Sequence, residues 1–333
     1  MKRLSILVAV VAWTLHATTV LATPGSGATS VILATATFDT VATNQAANRE
    51  SVIQELTIAP GGHTGWHTHP GGVFVMVESG TFSMYHSDCS LMTVPAGRGL
   101  FEAGGQVQLA RNDGAVPLVL TVVYLDIASP DGPLRADAAT PACAAEAGLP
   151  TTAAGSLVTA NVIIDRATFA TAATITNGDE RDVVVQSLTF APGGHTGWHS
   201  HPGTTQVFVV SGTFSFYSAT DCVRQNFTAG QGIIEPGGGV QLARNESTTE
   251  PLVLFVVYYD VPQDVAGGFR IDQPEPSTCT GLAGVPAPSA AALPNTAADV
   301  AGTSSTAPAL AAMLVAMTAL SGLTLVVARR RAR

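Results

Sequence analysis

Short runs of β-branched and aromatic residues, separated by Gly, Pro, Asn and Asp, follow one another along most of the chain. Residues 73–77, 118–124 and 206–210 are typical runs. Between residues 30 and 286 no apolar stripe with the period of a helix is longer than about ten residues. Many short strands with turn residues between them are typical of a β-sandwich or barrel, so the pattern predicts an all-β protein.

The chain repeats itself at an offset of 132 residues. Residues 59–71 read APGGHTGWHTHPG and residues 191–203 read APGGHTGWHSHPG, identical at twelve of thirteen positions. Further matches follow in the same order, such as VQLARN and PLVL-VVY. A repeat this long is a whole domain rather than one unit of a solenoid. We therefore expect two domains, residues 30–150 and 151–286.

Both ends of the chain differ from the repeated body. Residues 1–22 join Lys2 and Arg3 to an apolar run and small residues, which is typical of a signal peptide; a permanent N-terminal anchor is the alternative. Residues 287–306, rich in Ala, Pro, Ser and Thr, indicate a flexible spacer. Residues 307–328 are uncharged and long enough to span a bilayer as a transmembrane helix, although a buried globular helix is the alternative.

The basic tail, residues 329–333, would place the cytoplasmic side at the C-terminus. In the spacer, Leu293–Ala297 reads LPNTA and resembles a sortase sorting signal, usually LPxTG, with Ala297 in place of Gly. We therefore expect an exported bacterial protein at the cell surface. Its C-terminus would be held either by a permanent membrane span or by sortase attachment to the cell wall.

The exported body is strongly acidic. Six of the 15 basic residues lie at the two ends of the chain, whereas all 24 acidic residues lie between them. The body is therefore more negative than the net charge of −9 for the whole chain. Such a surface argues against nucleic acid and anionic lipid headgroups as partners.

The four cysteines follow the repeat, since Cys89 aligns with Cys222 and Cys143 with Cys279. An even number of cysteines in an exported chain indicates disulfides, and four cysteines allow three pairings. We expect Cys89–Cys143 and Cys222–Cys279, because a duplicated domain should carry its own bridge. Four buried free thiols are the alternative.

The repeated motifs resemble those of the cupin superfamily, which are small jelly-roll β-barrels. The first cupin motif, Gly-x5-His-x-His-x3–4-Glu-x6-Gly, is matched at Gly61, His67, His69 and Gly80, and at Gly193, His199, His201 and Gly212. The second motif, Gly-x5-Pro-x-Gly-x2-His-x3-Asn, is matched at Gly230, Pro236, Gly238 and Asn245, and in part at Gly97, Gly105 and Asn112. The resemblance implies two tandem jelly-roll barrels.

Both copies depart from these motifs at two positions that usually bind metal. The Glu position holds Val73 and Thr205, and the His position of the second motif holds Gln108 and Gln241. Function is therefore less well indicated than fold, because the cupin fold hosts enzymes, storage proteins and sugar binders.

His-x-His on a strand places both imidazoles on one face, because side chains alternate. Imidazoles suit a divalent transition metal such as Zn, Mn, Fe, Ni or Cu, and no other cofactor is indicated. The candidate ligands are His67, His69, Glu102 and Gln108 in the first copy, and His199, His201, Glu235 and Gln241 in the second. A pocket without metal, in which the histidines form a hydrogen-bonded pair, is the alternative.

Two functions remain open at this stage. The first is a surface-anchored bicupin that binds a small molecule of unknown identity, with or without a metal in each barrel. The second is a metal-dependent cupin enzyme of the dioxygenase or isomerase type, for which no catalytic residue can be assigned. The missing Glu and His favour binding, because non-haem iron sites usually need three strong ligands and open positions.

Overall fold

The computed structural model describes residues 23–152, 154–263 and 268–282, and these residues form strands and turns without a helix. The expected signal peptide, the spacer with Leu293–Ala297, the transmembrane helix and the basic tail lie outside the described residues. Within the described part of the chain, no helix is both long and apolar enough to cross a membrane.

Each copy of the repeat contributes eleven strands. The first copy forms β1 (Ser26–Phe38), β2 (Val41–Gln45), β3 (Arg49–His63), β4 (His67–Thr68), β5 (Val73–Ser79), β6 (Thr81–His86), β7 (Leu91–Pro95), β8 (Gly99–Glu102), β9 (Gln108–Arg111), β10 (Leu118–Ala128) and β11 (Ala136–Asp137). The second copy forms β12 (Ser156–Phe169), β13 (Ala173–Asn177), β14 (Arg181–His195), β15 (His199–Ser200), β16 (Thr205–Ser211), β17 (Thr213–Ser218), β18 (Arg224–Thr228), β19 (Gln231–Glu235), β20 (Gln241–Arg244), β21 (Leu252–Val261) and β22 (Ile271–Asp272).

Each barrel is built on a ladder of long antiparallel strands. In the first barrel β3 pairs with β10, β10 pairs with β5, and β5 pairs with β8. In the second barrel β14, β21, β16 and β19 pair in the same order. The expectation of an all-β protein is confirmed, and the repeat in sequence is a repeat in architecture.

The two copies exchange their first strands, which corrects the expectation of two domains that are each built from one copy alone. β1 pairs antiparallel with β14 of the second copy, and β12 pairs antiparallel with β3 of the first copy. The boundary at residues 150 and 151 therefore does not separate the two barrels. The pattern of residues could not reveal this exchange, because β3 and β14 have nearly the same sequence and offer equivalent edges.

Three apolar clusters stabilise this arrangement. One fills the first barrel and includes Ile58, Val75 and Leu120, and a second fills the other barrel. The third cluster lies between the barrels and takes residues from both copies, among them Phe74 and Phe208. Burial of this third cluster makes the two barrels one cooperative body.

Both expected disulfides form within a single copy. Cys89 bonds to Cys143, and Cys222 bonds to Cys279, at sequence separations of 54 and 57 residues. No described cysteine is free. Closing loops of this length stabilises a domain by a few kcal/mol, on the order of 2–4.

The cluster between the barrels predicts that both barrels unfold together. Phe38 of β1 is fully buried, and its ring packs edge-on against Phe74 at 5.3 Å. Phe38→Ala should lower the free energy of unfolding by about 3–5 kcal/mol, the cost of truncating a buried aromatic side chain. Scanning calorimetry should show one transition that shifts as a whole.

Leu91→Ala is the control for that measurement, because Leu91 is 52% exposed and its loss should cost less than about 0.5 kcal/mol. Two separate transitions in Phe38→Ala, of which only one moves, would contradict a shared core.

Candidate functional site

A buried pair of imidazoles occupies one end of the first barrel. The Nε2 atoms of His67 and His69 lie 3.1 Å apart. The other nitrogen of each ring meets a backbone carbonyl: Nδ1 of His67 lies 2.9 Å from Gly65 O, and Nδ1 of His69 lies 2.7 Å from Leu134 O. Because a carbonyl only accepts hydrogen bonds, Nδ1 carries the proton in each ring and Nε2 presents a lone pair.

The second barrel repeats this geometry. Nδ1 of His199 lies 3.0 Å from Gly197 O, and Nδ1 of His201 donates to Phe269 O. The two rings are 4.8 Å apart between centroids, against 4.7 Å in the first barrel. The His-x-His motif therefore directs both Nε2 atoms inward twice in one chain.

A carboxylate stands beside each pair. Glu102 Oε2 lies 3.2 Å from Nε2 of His69, and Glu235 Oε2 lies 3.4 Å from Nε2 of His201. Both carboxylates are about as buried as the histidines, with side chains 5% and 4% exposed. A buried carboxylate needs a positive partner or hydrogen-bond donors to offset its desolvation.

The register of the sheet explains how these carboxylates reach the histidines. Glu102 on β8 lies directly across from Val73 on β5, and Glu235 on β19 lies across from Thr205 on β16. Val73 and Thr205 hold the position at which the cupin motif has Glu. Cross-strand partners project to the same face of a sheet. The carboxylate of each barrel therefore points into the barrel from the strand next to the one that carries Glu in the cupin motif.

The two glutamines occupy the expected place, but only Gln241 donates a hydrogen bond to the carboxylate of its barrel. Gln108 lies across from His67 in register, and Gln241 lies across from His199. Nε2 of Gln241 donates to Glu235 Oε2 at 2.6 Å. Nε2 of Gln108 is buried and has no hydrogen-bond partner among the described residues. A positioning role therefore fits Gln241 better than direct ligation.

The three strongest candidate ligands of each barrel do not form a closed cage. Among the described residues, the one group of three His, Cys or acidic side chains whose ligand atoms all lie within 4.8 Å of one another is Asp39, Asp179 and Glu180. That group lies on the surface, and Arg98 contacts Asp39 and Glu180. An ion held by both histidines and the glutamate of a barrel would therefore require one side chain to rotate.

Burial disfavours the charged form of one imidazole in each pair. The pKa of His67 is lowered to about 4, first by burial and then by the neighbouring His69. Burial also lowers the pKa of His199 well below its usual value, with help from Arg270 and His201. Two imidazoles whose Nε2 lone pairs face each other beside a carboxylate repel one another unless a positive charge, a metal ion or a proton, lies between them.

A cavity of about 750 Å³ extends from the histidines through the first barrel. Its polar end is formed by His67, His69, Glu102, Tyr124 and Arg135. Its wall is mainly apolar, with Leu56, Val75, Phe82, Leu120 and Val122 among the lining side chains. A volume of this size, lined by both apolar and polar side chains, is typical of a small-molecule site.

The exchanged strand β12 completes one wall of this cavity. Residues 154–158, Asn161 and Ile163 line it, and all of them belong to the second copy. Tyr124 donates to Gln54 Oε1 at 2.7 Å, and Gln54 Nε2 donates to Asn161 Oδ1 at 2.6 Å. A continuous line of hydrogen bonds thus ties the polar end of the cavity to the exchanged strand.

Arg135 and Tyr124 were missed by sequence reasoning, although the repeat carried a signal for both. Residues 134–137 read LRAD and residues 269–272 read FRID, so the arginine recurs in the second copy as Arg270. Arg135 donates to Thr64 O at 2.7 Å, and Arg270 donates to Thr196 O at 2.7 Å. Comparing the two copies beyond the cupin motifs would have found Arg135 and its counterpart Arg270.

These observations define a two-barrel all-β protein with a buried histidine pair and a carboxylate in each barrel. The family model of the cupin domain matches residues 54–124 and 186–258, which are equivalent stretches of the two barrels. The chain is a bicupin: each of its two barrels is a cupin domain. Among curated protein sequences, none is similar enough to the chain to be a relative.

Several solved structures resemble the fold at low identity. Oxalate decarboxylase from Bacillus subtilis is 14% identical, with a TM-score of 0.34 over 69% of this chain and 77% of that one. A cupin 2 conserved barrel domain protein from Leptotrichia buccalis is 15% identical, with a TM-score of 0.25 over 66% of this chain and 88% of that one. AerE from Microcystis aeruginosa is 13% identical, with a TM-score of 0.27 over 62% and 87%. Such likenesses concern the fold alone.

The hydrogen bond between Gln54 and Asn161 predicts a difference between the barrels. Asn161→Ala removes the acceptor of Gln54, which is only 7% exposed, and should cost about 1 kcal/mol of unfolding free energy. In the second barrel Ser30 lies at the equivalent register position, across from Leu188 as Asn161 lies across from Leu56.

Ser30→Ala is the matched control and should change stability by less than about 0.5 kcal/mol, because no side-chain hydrogen bond is lost. Urea titration of both variants measures the two changes. An equal loss of unfolding free energy in Asn161→Ala and Ser30→Ala would show that the bond between Gln54 and Asn161 adds nothing to stability.

Proposed function

We propose that this bicupin binds a small, largely apolar molecule in the cavity of the first barrel, and a divalent transition metal at the histidine pair of each barrel. One observation carries the proposal. At the end of an apolar cavity, the Nε2 lone pairs of His67 and His69 face each other at 3.1 Å while both Nδ1 atoms are committed to backbone carbonyls.

The donor set fits such an ion. Metal–nitrogen and metal–oxygen bonds of about 2.0–2.2 Å allow two ligand atoms of one ion to lie roughly 3 Å apart. The separations from Nε2 of His69, 3.1 Å to His67 and 3.2 Å to Glu102, are of that size. Neutral imidazole and carboxylate together suit Zn, Mn, Fe, Ni or Cu.

The residues of the chain prepare the site for a ligand. The backbone carbonyls of Gly65 and Leu134 fix the orientation of both rings, as is usual for histidines that bind metal. Apolar side chains line part of the cavity, and Arg135 lies at its polar end, where it pairs with Asp137 at 2.7 Å. A bound metal would supply Lewis acidity toward an oxygen atom of the ligand.

Metal content tests the proposal directly. The purified protein should carry about two equivalents of one transition metal, one per barrel, when its metal content is measured by elemental mass spectrometry. The double variant His67→Ala/His69→Ala should lose one equivalent, and His199→Ala/His201→Ala should lose the other. His86→Ala is the control, because His86 lies outside the His-x-His motif and is not among the residues that line the cavity.

Unchanged metal content in both double variants would refute the metal sites. Absence of metal from the wild-type protein, after growth and purification with each candidate ion, would favour a pocket without metal. In that case a proton on one ring of each pair provides the positive charge between the two Nε2 atoms.

A metal-dependent enzyme is the second candidate function. The placement of Glu102 across from Val73 favours it, because this register restores two histidines and one carboxylate to a barrel whose motif lacks the standard Glu. Such a set with open positions is typical of non-haem iron oxygenases. Oxygen consumption by the iron-loaded protein with candidate phenols, abolished in Glu102→Gln, would favour the enzyme over the binding protein.

We also propose that the protein is exported and held at the cell surface by its C-terminus. The two disulfides of the described body support an oxidising compartment. Fractionation of the producing cells tests the anchor. Release by detergent alone would favour a membrane span, and release only by cell-wall hydrolases, with loss of the tail from Ala297 onward, would favour sortase attachment. Recovery of the protein in the cytosol would refute both.

A further inference from the structure

Leu157 on the exchanged strand β12 has an unusual backbone. Its φ is +55°, in the left-handed region that side chains other than Gly, Asn and Asp rarely adopt. It sits at an irregularity of the ladder, since Ser156 pairs with His63 and Val158 pairs with Ile58. Holding an L-residue in this conformation costs about 1–2 kcal/mol.

The repeat shows which residue suits this position better. Gly27 in β1 lies at the same irregularity against the second barrel, with φ +66°. Glycine adopts this conformation without a steric cost. The second copy of the repeat therefore carries a strained leucine where the first carries an unstrained glycine.

The side chain of Leu157 is not compensated by burial in the protein. It is 57% exposed, and it lines the cavity of the first barrel. Ile163 of the same strand also lines the cavity and is 47% exposed. Backbone strain that brings no packing gain within the protein indicates a functional role.

We propose that Leu157 is a specificity-determining residue that packs on the apolar tail of a carboxylic acid bound in the first barrel. This inference rests on the proposed function, because the head group would meet the histidine end of the cavity. There Arg135 and the proposed divalent ion together would outweigh the carboxylates of Glu102 and Asp137, which would favour an anionic head group.

The two barrels should differ in their affinity for long-chain acids. Against the second barrel, Gly27 and Ala28 of β1 take the register positions of Leu157 and Val158. The tail of an acid would meet less apolar surface there, so long-chain acids prefer the first barrel. Each methylene buried on Leu157 and its neighbours should strengthen binding about fourfold.

Calorimetric titration with a series of straight-chain acids from butanoic to decanoic tests the inference. Affinity of the wild-type protein should rise with chain length. Leu157→Gly and Leu157→Asn should weaken decanoic acid about tenfold and leave butanoic acid unchanged, because they remove the contact with the tail alone. Both residues tolerate the left-handed conformation, so the fold should persist. Leu157→Met keeps the apolar surface and should bind as the wild-type protein does.

Metal content of the same preparations keeps the two proposals apart. Unchanged metal with a flattened chain-length dependence in Leu157→Gly and Leu157→Asn is the expected result. The same chain-length dependence in wild type and variants would overturn the role of Leu157 and leave the binding site intact. A wild-type protein that carries metal but binds no acid would overturn the ligand class, and a protein without metal would overturn the metal sites.

Discussion

The pairing of β1 with β14, and of β12 with β3, is the interaction on which the rest of the molecule depends. The exchanged strands also contribute to the apolar cluster between the barrels, since β1 supplies Phe38 and β12 supplies Phe169. Polar contacts complete this contact region, since Gln206 donates to Ser51 at 2.9 Å and accepts from Tyr259 at 2.9 Å. A barrel deprived of its neighbour would lose one wall and expose an apolar face.

The exchange also sets the properties of the candidate site. The histidines, the carboxylate and the arginine of each barrel come from one copy, and their geometry is nearly the same in both. The cavity wall contributed by the first strand comes from the other copy, and there the sequences differ at Leu157 and Asn161. The barrels are therefore similar where metal chemistry is proposed and different where ligand shape is decided.

The sequence predicted the all-β class, both disulfides and the inward direction of the His-x-His pairs, because each follows from local alternation or from the repeat. Glu102 was among the candidate ligands, although its place across from Val73 needed the sheet register. The strand exchange could not be predicted, because β3 and β14 offer equivalent edges. Leu157 escaped notice because a backbone angle leaves no trace in a pattern of hydrophobic residues.

The exchanged strands have a consequence for a chain that held only one copy of the repeat. Such a chain could complete its barrel in the same way only by taking the first strand of a second, identical molecule, so its folding would depend on protein concentration. Joining the copies in one polypeptide turns that encounter into an intramolecular event, with an effective concentration in the millimolar range. The tandem chain should therefore remain assembled on dilution, where a single-copy chain would not.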